Sequence, residues 1–380
     1  MSRPLSPTSV EEAAGELAQA SRAGETIRIV GAGTKASWGT QGGTFDRELQ
    51  TGGLNRLVEH NAGDLTAVLE SGLPLARAQA TFAAAGQMLA LDPWLGPQDE
   101  ATIGGVLATA DSGPLRHRYG APRDLVLGMT VALPDGAVAR SGSKVIKNVA
   151  GYDLAKLFCG AFGTLGLIAS VSVRLHPLPL ATATAIGTTR DPDVLAEAAR
   201  SLAAAPLELE RLDFSWKPEL GMLLAQCGGA KAADRAGRAQ AMMAEHGLDH
   251  TDVVTEDEDT WADQRMRQRS AERAIVRAAA RPSRLAGVFR ASTASGASAV
   301  GRASLGHCFI HVEAEAVPRL VNALPKGTVW TLADAPDCTP SSVSVWGTGP
   351  PQGAASLMTR IKLRFDPTGT CNRGLFVDGI

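Results

Sequence analysis

Apolar and polar positions along this chain change period many times, and each change marks the edge of an element. Ser9-Val10-Glu11-Glu12 has capping-box spacing and opens an Ala/Leu-rich helix that Gly24 can stop. Thr26-Ile27-Arg28-Ile29-Val30 then alternates as a strand does. Leu65 to Glu70 reads as a strand, Pro74 to Ala85 as a helix with proline in its first turn, and Gln87 to Leu91 as another short strand. Gly128 to Leu133 and Ala137 to Arg140 form a hairpin about Pro134-Asp135-Gly136, and Leu165 to Leu175 is a long β-like run. His176-Pro177-Leu178-Pro179 stops that run with two prolines, which sets the expected boundary between a first domain, 1–178, and a second, 179–350. The second domain mixes strand patterns (Glu208 to Phe214, Met222 to Gln226, Cys308 to Glu313) with helical ones (Asp191 to Ala204, Lys231 to Glu245), as an α+β domain with an antiparallel sheet does. A last helix, Ala354 to Arg364, leads into a tail; 351–380 form the third segment.

Three glycine-centred segments interrupt this pattern, each beside an apolar run: Gly31-Ala32-Gly33-Thr34-Lys35, Thr102-Ile103-Gly104-Gly105 and Gly163-Thr164-Leu165-Gly166. Glycine permits positive φ and close approach of a ligand to main chain, so three such loops suggest one long cofactor cradled by N–H groups. Gly31-x-Gly33-x-x-Ala36 also fits a dinucleotide fingerprint, but Ser37-Trp38-Gly39-Thr40-Gln41-Gly42-Gly43 cannot continue as the helix that such a fingerprint opens. An anion-binding turn, with the Thr34 hydroxyl as an added donor, survives that test beside the plain alternative of a glycine-rich turn. The paired Gly104-Gly105, followed by small residues as far as Thr109, suits a flat ring against main chain, or else a helix start packed tightly. Ile168 can offer main-chain groups to the edge of a base, and Gly163 and Gly166 bracket the turn before it.

Composition narrows the classes. A net charge of −2 over 380 residues gives no electrostatic case for nucleic acid or an anionic membrane, and no apolar stretch is long enough to span a bilayer. The opening Met1-Ser2-Arg3-Pro4-Leu5-Ser6-Pro7 lacks the apolar core of a signal peptide, so a cytoplasmic location is expected. Cys159, Cys227, Cys308, Cys338 and Cys371 include no Cys-x-x-Cys pair, which argues for buried, inert thiols over zinc, an iron–sulfur cluster or a disulfide framework. Arg265, Arg269, Arg273, Arg277 and Arg281 recur every four residues; on a helix they would form a cationic stripe, read as a solvated face or as a docking surface for an acidic partner. His307 and His311 sit four apart in a strand-like run, which favours an ordinary core or surface role over a metal site, and no metal is expected.

Together these residues resemble the FAD-binding domain of the vanillyl-alcohol oxidase/p-cresol methylhydroxylase (PCMH-type) superfamily. Ala101-Thr102-Ile103-Gly104-Gly105, Tyr119-Gly120 with Arg123-Asp124, Asp135-Gly136 and Gly163-Thr164-Leu165-Gly166 are similar to its bacterial 2-hydroxy-acid oxidase branch. Lys147-Asn148-Val149-Ala150-Gly151-Tyr152-Asp153-Leu154, Gly31 to Ala36 and the tail Asp366-Pro367 through Asn372-Arg373-Gly374 look like the FAD-binding E-type subunit of glycolate oxidases. The likeness is dense over 25–180, returns over 354–378 and is thin between them.

The resemblance implies an α+β fold: a two-part PCMH-type FAD-binding domain, an α+β cap domain with an antiparallel sheet, and a C-terminal tail that returns to the FAD domain. It implies FAD with its pyrophosphate on Gly31, Ala32, Gly33, Thr34 and Lys35. The flavin would lie near Pro93, Thr102, Gly104 and Gly105 and the adenosine near Gly163 and Ile168, and Ile103, Thr109, Gly166 and Asn372 are also expected to bind the cofactor. Covalent relatives carry a histidine in the first loop; Thr34 and Lys35 stand here, so the FAD is expected to be non-covalent. Implied partners are a second FAD-linked catalytic subunit, an iron–sulfur subunit and a small 2-hydroxy acid such as glycolate, oxidised to the 2-oxo acid. The complex would lie in the cytoplasm or at the inner membrane. Catalytic chains of the branch carry a late Gly-Glu-His-Gly; Ser344-Val345-Trp346-Gly347-Thr348-Gly349-Pro350 has neither acid nor histidine. That departure assigns no catalytic residue here and opens two alternatives: an FAD-carrying relay subunit without turnover of its own, or a stand-alone FAD oxidase of another substrate.

Overall fold

A computed structural model describes residues 4–40, 43–144, 153–270, 272–336, 339, 343–351 and 353–380. The Lys147–Tyr152 part of the family-like segment, and Cys338, lie outside them. The chain forms two compact units, one of residues 1–112, 119–178 and 349–380, the other of 113–118 and 179–348.

The first unit opens as its pattern predicts. Ser9 Oγ accepts from the Glu12 N–H at 3.1 Å, the helix runs Val10–Ala23, and Gly24 ends it with φ +71°. The helix's apolar face (Ala13, Leu17, Ala20) packs with Ile27, Leu49, Leu167 and Cys371. Ile27–Val30 pairs in parallel with Arg47–Gln50, and its main chain also holds the tail, since Ile27 N donates to Thr370 O and Asn372 N to Ile27 O. The larger sheet is antiparallel, in the order Leu57–Asn61, Thr66–Glu70, Leu167–Arg174, Val126–Ala132, Val138–Gly142. The strand expected over Gln87–Leu91 is shorter: only Gln87–Met88 pairs, with His176–Pro177. Beyond it the Gln79 side chain accepts from Leu89 N at 3.0 Å and donates to the carbonyls of Leu89 and Leu91 at 2.6 and 3.0 Å. A side-chain amide there satisfies the main-chain groups that a neighbouring strand would otherwise take.

In the second unit eight strands make one antiparallel sheet, whose central run is Leu220–Gly228, Leu209–Lys217, Ser298–Arg302, His307–Val312 and Ala274–Ala279. The helices Pro192–Ala204, Ala232–Glu245 and Leu285–Ala294 bury their apolar stripes with one face of it. Trp216 stacks on Phe289 there, with centroids 4.7 Å apart and an interplanar angle of 12°. The arginine stripe does not exist. The helix Glu258–Met266 ends just past Arg265, Arg277 lies on the strand Ala274–Ala279, and Arg269 and Arg273 pair with Asp334 and Glu313 at 2.8 and 2.9 Å. A four-residue repeat makes a face only while one helix lasts, and this one stops after its second turn.

His307 and His311 are both on a strand, and burial first, then the nearby arginines, lowers their pKa values to about 3 and about 4 from 6.5. Unfolded, these rings take up protons near pH 6.5; folded, only near 3 and 4. The unfolded chain therefore binds more protons across that window, and stability rises with pH through it. Urea midpoints are expected to fall from pH 7 to pH 4, and in a His307→Gln/His311→Gln variant the slope should shrink by up to about two protons. The described cysteines are free thiols, and burial raises the pKa of Cys227 to about 11 and of Cys159 and Cys308 to about 12. Cys159 is only half-buried, unlike the others.

Candidate cofactor-binding site

Residues from all three glycine segments line one cleft in the first unit, with a cavity volume of about 110 Å³. Gly31, Ala32, Gly33, Thr34 and Lys35 form one wall as a turn leaving the strand Ile27–Val30. Thr102, Gly104, Gly105 and Thr109 form a second; Gly163, Gly166 and Ile168, with Asn372 of the tail, form a third. Pro93 and Ile103 do not line it. Pro93 is buried, next to Trp94, whose carbonyl meets the Lys35 ammonium at 3.5 Å, and Ile103, 1% exposed, begins a helix of which Gly104 and Gly105 line the opening.

The second segment is a helix start, Ile103–Thr109, with Thr102 as N-cap: its Oγ1 accepts from Gly105 N at 3.2 Å. That is the tight-packing alternative, and it serves the cleft as well. A Cβ on Gly104 would lie 2.7 Å from Ser71 Cβ, and one on Gly31 would lie 2.3 Å from Thr102 Oγ1. The first two walls thus meet with no room for a side chain at either position. Thr109 bonds back into its own helix, its hydroxyl donating to Gly105 O at 2.8 Å.

The tail closes the third wall. Asn372, at φ +43°, accepts from Ile29 N through Oδ1 at 2.7 Å and donates through Nδ2 to Phe162 O at 2.6 Å. Its amide ties the first strand to the third glycine turn, so Asn372 positions the cleft's walls. Lys362 anchors the same tail, its ammonium donating to Thr164 O, Cys371 O and Asp366 Oδ2 at 2.6, 3.1 and 2.6 Å. Ile168 pairs through the ladder with Val131, while pairing with Thr66–Glu70 ends at Ser170.

Lys35 does not present a bare charge. Its side chain is 5% exposed, and its ammonium lies 3.3 Å from Asp111 Oδ2. Arg28 does: it lines the cleft, reaches Ala36 O at 3.3 Å, and pairs with no carboxylate of a described residue. Sequence reasoning missed Arg28, Thr51, Ser71 and Asp111. Arg28 was visible as the polar position of the alternating strand that feeds the first loop; Thr51 and Ser71 carry no motif, because only the fold brings them here.

Three observations test the site against a long phosphate-bearing cofactor. The Thr51 and Ser71 hydroxyls line the cleft, are buried, and have no partner among the described residues. The N–H groups of Ala32 and Gly33 likewise bond to no described residue. Buried polar atoms without partners are costly unless a ligand supplies them, and adjacent free N–H groups next to an uncompensated guanidinium suit an anion. The residues fit.

Residues 4–142 match the FAD binding domain family. The glycolate oxidase subunit GlcE of Escherichia coli K12 is 37% identical over 158 residues, 40% of this chain and 43% of that protein. The glycolate oxidase subunit GlcD of Bacillus subtilis is 33% identical over 168 residues, 44% and 35% of the two chains. The matched region thus spans less than half the length of those curated relatives. Among solved structures, p-cresol methylhydroxylase superposes over 97% of this chain and 87% of its own with a TM-score of 0.73 at 14% identity. Alkyldihydroxyacetonephosphate synthase does so over 97% and 76%, with a TM-score of 0.72 at 15% identity. Among the described residues no helix is long and apolar enough to cross a membrane. Residues 4–142 thus resemble the FAD binding domain family, which gives FAD as the cofactor, and the chain has the fold of p-cresol methylhydroxylase and the vanillyl-alcohol oxidase flavoproteins.

Proposed function

We propose that this chain is the FAD-binding subunit of a multisubunit oxidase or dehydrogenase of small 2-hydroxy acids, glycolate foremost, that passes electrons to partner subunits. The reading rests on one observation above the rest: three glycine segments and the tail converge on a cleft in which the buried Thr51 and Ser71 hydroxyls have no partner among the described residues. The likeness to glycolate oxidase subunits and to mitochondrial D-lactate dehydrogenase of Arabidopsis thaliana supports the substrate class. FAD, when bound, supplies the two-electron acceptor for oxidation of the carbon that bears the hydroxyl.

This chain's residues hold and orient. The free N–H groups of Ala32 and Gly33 and the Arg28 guanidinium meet the pyrophosphate charge. Thr51 and Ser71 give hydroxyls to the cofactor's polar atoms, and Asn372 keeps the strand and the third turn at a fixed spacing. Lys35 and Asp111 neutralise one another and brace the first loop from inside.

No histidine stands in the first loop, so acid precipitation of the purified yellow chain is expected to release all of its FAD; flavin retained in the pellet contradicts non-covalent binding. Arg28→Met should weaken FAD binding about tenfold and flatten its salt dependence, because one charge–phosphate contact is lost. Anaerobic mixing with glycolate tests the subunit reading. The chain by itself should bleach little, and the reconstituted complex quickly. Fast stoichiometric bleaching of the chain alone makes it an independent enzyme.

A further inference from the structure

A second cleft, wholly within the other unit, is lined by polar and cationic groups that the FAD site does not use. It lies on the sheet face opposite the helices Pro192–Ala204, Ala232–Glu245 and Leu285–Ala294. Across three neighbouring strands Ser298 pairs with His311, and Ser215 with Val300, one step from Trp216 paired with Ala299. That register brings Lys217, Ser298 and His311 into one row across the sheet, with Ser215 in the next row on the same face. The helix Glu258–Met266 contributes Asp263, and the turn after it Arg267 and Arg269.

The charges do not cancel. Arg269 is taken by Asp334 at 2.8 Å. Arg267 shares Asp263 at 3.5 Å, with both side chains well exposed. Lys217 is exposed and pairs with no carboxylate of a described residue. His311 adds a different group. Its ring hydrogen-bonds the main chain at Arg267, an interaction that favours the N–H there, while Nε2 is buried and has no partner among the described residues. The ring is neutral at pH 7, so Nε2 is left as an acceptor. A cleft with spare positive charge, two serine hydroxyls and one waiting acceptor matches a small anion that also carries an O–H donor.

We propose that this cleft binds a small 2-hydroxy carboxylate, with Lys217 and Arg267 on the carboxylate and His311 Nε2 accepting from the hydroxyl. The ligand's identity rests on the functional reading above; the existence of the site does not. The carboxylate exchanges water for two cations and the serine hydroxyls, and the 2-hydroxyl distinguishes this ligand from a plain carboxylate or a phosphate.

Calorimetric titration of the purified full chain with glycolate, acetate and inorganic phosphate tests it, with FAD content read by absorbance in the same samples. Saturable glycolate binding is expected, about tenfold tighter than acetate or phosphate. Lys217→Met should weaken all three anions about tenfold. His311→Gln should erase the preference of glycolate over acetate while leaving acetate affinity unchanged. Lys217 is exposed, so its variant should melt as the native chain does and keeps the test open even if the His311 variant folds poorly. Absence of saturable glycolate binding, equal binding of acetate or phosphate, or glycolate affinity unchanged in Lys217→Met overturns the proposal. A yellow chain that binds no glycolate overturns this site alone. A colourless chain that binds glycolate with the expected pattern supports this site and counts against the cofactor reading.

Discussion

Lys362→Met is expected to cost about 3–5 kcal/mol of stability and to empty the cleft of FAD. The Lys362 and Asp366 side chains are 9% and 0% exposed, and the ammonium satisfies two main-chain carbonyls besides the carboxylate. Methionine keeps the length and removes the charge, which leaves Asp366 buried without a cation, held by the N–H groups of Thr370 and Cys371 at 3.0 and 2.8 Å and by the Thr368 hydroxyl at 3.3 Å. An uncompensated buried carboxylate is worse than no pair at all, so Lys362→Met/Asp366→Asn should recover part of the loss. The tail carries Asn372, which sets the spacing between the first strand and the third glycine turn. Loosening the tail therefore reaches the cofactor from a residue that does not line the cleft. Denaturant melts of apo and FAD-loaded forms, with flavin retention on a desalting column, measure both effects. Native stability with full flavin retention in Lys362→Met removes the tail from the account.

Gly31→Val should lower FAD affinity by a factor of about 100. The new Cβ falls 2.3 Å from Thr102 Oγ1, so the threonine has to rotate away from Gly105 N, which it caps at 3.2 Å. Losing that cap costs about 1 kcal/mol, and moving the loop off the helix start costs the close approach of main chain to ligand. Gly33→Ala is the contrast: its Cβ meets nothing within 4 Å, and only the φ of +76° opposes it, at about 1–2 kcal/mol. Gly104→Val differs again. Its side chain would press on Ser71 Cβ and O at 2.7 and 3.0 Å in a buried place, so stability should drop along with affinity. FAD titrations and apo-form melts on the three variants separate these outcomes, and Gly31→Val binding as tightly as the native chain would remove the first loop from the site.

Much of the fold was legible because its signals are local. Ser9 and Gly24 bound the first helix, Asp191 caps Pro192–Ala204, and the hairpin about Asp135-Gly136 joins two alternating runs. The glycine segments, which line one cleft, were legible as loops of close approach for the same reason: a close approach leaves its mark at the residue that makes it. Where a pattern needed an element to persist, it misled, as the arginine repeat did when its helix stopped at Met266.

The sequence by itself determined most element types, the glycine loops and, among the described residues up to Thr40, the absence of a helix after the first of them, since propensity, capping and φ preference act over a few residues. Only the tertiary structure decided which polar groups share a space. Thr51 and Ser71 reach the same cleft from separate loops, Asp111 meets Lys35 across 76 positions of chain, and Lys217 stands in one row with Ser298 and His311. Sheet register and burial set these meetings, and both depend on pairings far apart in sequence, for which no single segment carries a signal.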